Sequence, residues 1–142
     1  MGLLRQRLAA DGLDDLVSVS SAGIWGLDGQ PASQPGVEVL AEQGVDISAH
    51  RARTVEDRDV AEVDLVLVME EGHRRSLFYR APTPQALGKV FLLSEMAGEY
   101  GDVKDPYRRP KEEYQRCADE LARLIDAGYE NILRRLGVQR KA

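Results

Sequence analysis

Apolar and polar positions change period several times along the chain, and each change marks an element. Leu3, Leu4 and Leu8 among Arg5, Gln6 and Arg7 predict a short amphipathic helix over 2–10 that ends near Gly12. Leu16-Val17-Ser18-Val19-Ser20 alternates with period two and stops at Ala22-Gly23, the pattern of a strand. The Gly- and Pro-bearing stretch from Gly23 to Pro35, with Trp25 and Asp28, predicts a loop. A helix is expected from about Gln34, with Ser33 as N-cap and Pro35 in its first turn. Val37, Leu40 and Ala41 form its expected buried stripe, and Gly44 closes it. Thr54-Val55-Glu56-Asp57 fits a capping box loosely and opens a short acidic helix. Leu65 to Met69 is continuously apolar, as expected of a strand covered on both faces. Glu71 to Arg80 reads as a helix ended by Pro82 and Pro84, Val90 to Leu93 as a second buried strand, and Ser94 to Arg109 as a loop. Finally Tyr114, Cys117, Leu121, Leu124, Ile125, Gly128 and Ile132 recur at three- and four-residue spacing along one long helix. Its basic end, Arg134 and Arg135, suits the helix dipole.

Helices alternating with strands imply an α/β fold, a doubly wound parallel sheet with helices on both faces in three layers. The 142 residues suit one domain, 1–142. With 43% hydrophobic and 30% charged residues the chain has the balance of a soluble protein with a real core. Its net charge of −5 disfavours non-specific binding to nucleic acid or an anionic membrane. One cysteine excludes a disulfide scaffold and a Cys-based zinc cluster, and two well-separated histidines argue against a His-rich metal site. No apolar run is long enough to span a bilayer and the first residues lack a secretory layout, so a cytoplasmic, reducing compartment is expected.

The sharpest local signal is Asp105-Pro106-Tyr107, ahead of the last helix. An Asp held rigid by Pro beside an aromatic ring suits a general acid in a cleft, although Asp-Pro is also a common turn starter. Ser20 to Gly23 follows the first strand, where α/β folds place ligands, and a tight turn explains it equally well. Glu70 and Glu71 could hold a metal, but capping the next helix is the simpler role; His73 and His50 read as helix and loop residues. A receiver-like phosphoacceptor built on the two glutamates lacks a placed Lys and Thr. Cys117 lies mid-helix on the apolar stripe, where nothing lowers its pKa. Arg51/Arg53 and Arg108/Arg109 could attract phosphate or simply form a solvated face.

In this order the pieces resemble a low-molecular-weight protein tyrosine phosphatase over essentially the whole chain. Ser20-Ser21-Ala22-Gly23 resembles that family's turn after its second strand. Gly44-Val45-Asp46-Ile47-Ser48-Ala49-His50-Arg51-Ala52-Arg53 is similar to its Gly-Ile-Asp-Ile-Ser-x-His-x-Ala-Arg segment. Asp64 to Met69 resembles its strand ending in Met and acidic residues, and Asp105-Pro106-Tyr107 its Asp-Pro-Tyr motif. The resemblance implies two-step hydrolysis of phosphotyrosine protein or a small phosphomonoester, without cofactor or metal. A thiolate in a Cys-x5-Arg loop attacks phosphorus, loop amides and the Arg hold the oxygens, an Asp protonates the leaving group, and water cleaves the phosphocysteine. Asp105 carries over as the acid, Tyr107 as a cleft wall, and Trp25 or Leu27 as another. Arg108 stands in the substrate-binding rim where members often have a second aromatic or a Gly, which leaves the preference open, and arsenate reductases and arginine phosphatases share the scaffold.

Against the family pattern, this chain opens inside the first helix, so the central first strand and the Cys-x5-Arg loop are expected to be missing from it. Cys117 and Arg123 satisfy the spacing by count, but within a helical stretch. Losing about four buried strand side chains at ~1.5–3 kcal/mol each would remove ~6–12 kcal/mol, comparable with a whole domain's stability. The expectation is therefore an N-terminally incomplete, catalytically inactive domain with Met1 as an internal start. A non-catalytic phosphoprotein-binding or interaction domain on the same scaffold is the alternative. An exposed sheet centre would leave self-association open.

Overall fold

A computed structural model describes residues 1–24, 28–80 and 88–139. The order of elements is α1 (Gly2–Ala10), α2 (Gln34–Glu42), α3 (Asp57–Ala61), β1 (Val66–Val68), α4 (Glu71–Arg80), β2 (Val90–Leu92), α5 (Leu93–Met96) and α6 (Lys111–Leu136). Their contacts gather into two compact units. Among the described residues, the first comprises those of 1–54 and 105–123; the second comprises those of 55–104 and 124–139. Among the described residues no helix is long and apolar enough to cross a membrane.

In the first unit, α1 and α2 end alike. Gly12 and Gly44 take φ values of 70° and 78°, a left-handed backbone that costs glycine nothing. Leu13 N–H then donates to Leu8 O at 2.9 Å, and Val45 N–H to Leu40 O at 2.8 Å. Each bond closes a Schellman turn and satisfies a carbonyl the helix leaves open. The accompanying apolar contact seats Leu8, Leu13 and Val45 in the core.

The buried face of α2 is rotated one residue from the expected stripe. Val39 is buried, Val37 and Leu40 are half-buried, and Ala41 is exposed. Gly36 faces Tyr114, where a Cβ would stand in ordinary contact 3.6 Å from the ring. Gly36, Val39, Leu40 and Gln43 lie at helical spacing on one face, and Gln43 reaches Asp119 Oδ1 at 3.5 Å. Lys111 adds ion pairs to Glu38 and Glu42 at 3.4 and 3.2 Å. Ser33 sits at the N-cap without a side-chain bond.

Residues 16–20 do not form a strand. Their side chains alternate as expected, Val17 and Val19 half-buried, Ser18 and Ser20 exposed. A strand also needs a backbone ladder, however, and here the Val19 carbonyl accepts instead from Arg5, with Nε at 2.9 Å and Nη2 on the same oxygen.

The second unit holds the sheet. Strands β1 and β2 are parallel, with Val66 opposite Val90, Leu67 opposite Phe91 and Val68 opposite Leu92. Val68, Val90 and Leu92 are buried, while Val66 and Leu67 are only half-buried, so β1 is less covered than its apolar run suggested. Lys89 Nζ donates to the Ala61 and Val63 carbonyls at 3.2 and 2.9 Å, closing the end of α3. The box that opens α3 is formed by Glu56 and Asp59, two residues beyond the expected Thr54, with Glu56 N–H to Asp59 Oδ2 at 2.7 Å. Thr54 binds Asp28 instead, through its N–H at 2.7 Å and its hydroxyl at 2.9 Å. The expected loop from Ser94 begins with helix α5, whose Glu95 accepts from Leu92 N–H at 2.8 Å. Pro82 and Pro84 lie outside the described residues.

Helix α6 contributes residues to both units, and its apolar stripe buries Leu124, Ile125, Tyr129, Ile132 and Leu133. Gly128 faces α5 so closely that a Cβ would lie 2.7 Å from Met96 Cβ and 2.9 Å from Met96 backbone carbon. Alanine normally favours a helix over glycine by ~1 kcal/mol. Here the backbone clash reverses the sign, and overpacking costs about 1–3 kcal/mol. Gly128→Ala is expected to lower the melting temperature by about 3–10 °C in a thermal denaturation followed by circular dichroism. A rise would contradict this packing.

Candidate active site

Asp105 lies on a tight turn just ahead of α6. Its Oδ1 accepts the Tyr107 N–H at 3.0 Å, and Arg109 N–H donates to the Pro106 carbonyl at 2.8 Å. The first bond is an Asx turn, which Asp favours because its short side chain reaches the backbone two residues on. Asp105 is exposed, so it combines a carboxyl fixed through Oδ1 with access to solvent. The segment before it is also tied down, since Val103 N–H donates to Met69 O, just beyond β1, at 2.8 Å.

Tyr107 is 54% exposed, and the Arg108 guanidinium lies 5.3 Å from its ring centroid. Arg108 is the third residue of the Pro106–Arg109 turn and has φ 64°, the one non-glycine left-handed residue among those described. That turn position favours glycine, so an arginine there bears a steric cost. Asp105, Tyr107 and Arg108 are thus brought together on one turn. Trp25 and Leu27 lie outside the described residues.

Cys117 is half-buried on α6. Burial pushes its thiol above the usual range, and the negative charges of Asp105 and Glu120 push the same way. A thiol nucleophile needs the opposite surroundings, a helix N-terminus or nearby cations. The Cys117/Arg123 spacing is helical, as expected; Arg123 is ion-paired to Glu120 at 2.7 Å.

A cleft of about 600 Å³ opens elsewhere in the first unit, beside Met1, Arg5, Ser20, Ser21 and the segment from Gly44 to Arg53. None of Asp105, Tyr107 or Arg108 lines it. Its basic groups are largely engaged by backbone, Arg5 on Val19 and Arg51 Nη1 on the Ser48 and His50 carbonyls at 3.1 and 2.8 Å. Asp46 accepts Ser48 N–H at 2.8 Å, and the Ser48 hydrogen bonds hold its carboxyl below the usual value.

The acidic pair at 70–71 is likewise structural. Arg74 grips Glu71 with two nitrogens at 3.2 and 2.6 Å and reaches Glu95 at 2.7 Å, and Tyr100 hydroxyl adds a bond to Glu71 at 3.2 Å. The Arg74 fork holds the Glu71 carboxyl below its ordinary range. Glu71 N–H is capped by Asp102 at 2.9 Å, so the cap comes from a distant residue. His73 pairs with Glu70 at 3.4 Å. Among the described residues no group of three His, Cys, Asp or Glu could hold a metal ion. Sequence reading missed Arg74, Glu95, Tyr100 and Asp102; only the three-residue spacing of Glu71 and Arg74 hinted at any of it.

Cys117 is expected to react slowly with iodoacetamide at neutral pH, its rate rising only as the solution passes the raised thiol value. The check is mass-spectrometric labelling across pH against free cysteine. Faster labelling than free cysteine at neutral pH would contradict the site's electrostatics.

The sequence profile of the family described as "Low molecular weight phosphotyrosine protein phosphatase" matches residues 2–140. A probable low molecular weight protein-tyrosine-phosphatase EpsP of Ralstonia nicotianae is 40% identical over 125 residues, 88% of this chain and 79% of that protein. The protein-arginine-phosphatase of Geobacillus stearothermophilus is 36% identical over 111 residues, 78% of this chain and 73% of that protein. Among solved structures, the low molecular weight protein tyrosine phosphatase from T. tengcongensis superposes with a TM-score of 0.84 at 40% identity, covering 92% of this chain and 86% of that one. The fold is therefore that family's α/β architecture with a parallel sheet. On sequence, structure and the Asp-Pro-Tyr turn alike, this chain belongs to the low molecular weight phosphotyrosine protein phosphatase family.

Proposed function

We propose that residues 1–142 form a single phosphatase-like domain carrying the acid arm of a phosphomonoester hydrolase, with phosphotyrosine protein or a small phosphomonoester as substrate and the cytoplasm as its place of work. Asp105 protonates the leaving oxygen, which would otherwise depart as an unfavourable anion. Tyr107 walls the leaving group's ring, with Arg108 on the same rim. The observation that carries this reading is the Asx turn, with Oδ1 held by Tyr107 N–H at 3.0 Å and the residue exposed to receive and return a proton.

The chemistry further needs a thiolate and an arginine fork on a phosphate-cradling loop. Cys117 is the one thiol of the chain, and burial with two neighbouring carboxylates opposes its ionisation. The 142-residue polypeptide by itself is therefore expected to be inactive. A specific second reading concerns the leaving group. Likeness to the Geobacillus protein-arginine-phosphatase favours phosphoarginine as an alternative substrate, whose nitrogen leaving group needs the same proton.

Hydrolysis of para-nitrophenyl phosphate by the 142-residue polypeptide is expected to match buffer and to be unchanged by Cys117→Ser. Robust hydrolysis abolished by that substitution would overturn the reading. Grafting a relative's strand and Cys-x5-Arg loop ahead of Met1 is expected to confer turnover that Asp105→Asn lowers by about 10²–10⁴-fold. Turnover of the graft indifferent to Asp105 would remove the acid assignment, and its relative rates on phosphotyrosine and phosphoarginine peptides decide between the substrates.

A further inference from the structure

The turn that carries Asp105 has a feature its acid role does not use. Arg108 is held in a left-handed conformation that glycine would adopt without cost, and its guanidinium lies over the Tyr107 ring. Residues kept in such sparsely populated regions cluster at functional sites. Several other basic side chains are matched by carboxylates: Arg74 by Glu71 and Glu95, Arg116 by Glu113, Arg123 by Glu120, Lys111 by Glu38 and Glu42. Among the described residues no carboxylate is paired with Arg108 or Arg109. On a chain of net charge −5, this turn thus presents two arginines beside the single carboxylate of Asp105.

We infer that Arg108 is a specificity-determining residue that reads an acidic side chain next to the phosphorylated residue of a protein substrate. The inference rests on Asp105 acting at the leaving group. A general acid must stand within hydrogen-bond reach of the oxygen or nitrogen it protonates. Asp105 directly precedes the Pro106–Arg109 turn that carries Arg108, so the rim beside Asp105 meets the substrate's neighbouring residues. Stacking on Tyr107 orders the guanidinium plane and leaves its N–H edges to a carboxylate, which it matches as a fork. The net charge of −5 disfavours an acidic segment at long range, so a local cation at the rim is what would select one.

The test is an NMR titration of the isotopically labelled 142-residue chain, a method that reads weak complexes without turnover. The probes are a phosphotyrosine peptide flanked by glutamates, the same peptide flanked by lysines, and phosphotyrosine amide. The Tyr107–Arg109 amides are expected to report binding about two- to five-fold tighter for the acidic peptide at low salt, with the preference shrinking as salt is added. Arg108→Gly, which suits the turn's backbone, is expected to bring the ratio near one. Arg108→Gln, keeping the stem without the charge, is expected to do the same. An unchanged preference in both variants would overturn the inference, as would equal weakening of phosphotyrosine amide, which would mean that Arg108 reads the phosphate itself. Binding of phosphotyrosine amide at the turn without any flank preference would remove this inference alone. No perturbation of the turn by any probe would remove the substrate's placement beside Asp105 and the inference with it.

Discussion

Burying the apolar stripe of one 26-residue helix is the constraint on which the rest of this structure depends. A short parallel pair of three-residue strands offers little stability alone, and sheets normally need more strands or a covering helix. The first half of α6 supplies Tyr114 against Gly36 of α2 and Asp119 to Gln43. Its second half supplies Gly128 against Met96, Asn131 toward the Met96 carbonyl at 3.4 Å, and Arg135 over the Phe91 ring at 4.1 Å. The same stripe carries Cys117, which is why that thiol is in surroundings made for packing rather than for nucleophilic attack.

The candidate chemistry sits immediately before this helix. Pro110 starts the approach to α6, with Glu113 N–H donating to its carbonyl at 2.9 Å, and the Asp105 turn is locked just upstream by its own side chain. A proton donor has to be both fixed and accessible, and a turn tied at Val103 and closed by Tyr107 N–H meets both demands. Burial above all, and the Asp105 and Glu120 carboxylates with it, make Cys117 harder to ionise, which opposes its use as the thiolate.

What the sequence disclosed follows the range of the forces involved. Glycines at helix ends declared Gly12 and Gly44, because a left-handed backbone is a local demand. The Asp-Pro-Tyr turn was legible for the same reason, and its role came from resemblance rather than from spacing. The α2 stripe lies one residue from the apolar count because Gly36, which faces Tyr114, carries no apolar side chain to be counted. The alternation of residues 16–20 reported which side chains turn inward, but alternation holds no information about a ladder partner. Thr54 resembled a cap, yet Asp28, distant in sequence, claimed it. The Arg74–Glu71–Glu95 network reaches from α4 to α5, and no local pattern announces the meeting of those two helices.

The central claim is a division of labour: Asp105 is the proton donor of phosphate-ester cleavage, and the chain's own thiol is not the group that receives phosphorus. Intact-mass and peptide mass spectrometry of the 142-residue polypeptide, quenched in acid after exposure to excess para-nitrophenyl phosphate, tests it most directly. The account predicts an unmodified Cys117 peptide at every time point. A phosphoryl adduct on Cys117 that forms and then decays with water would contradict it.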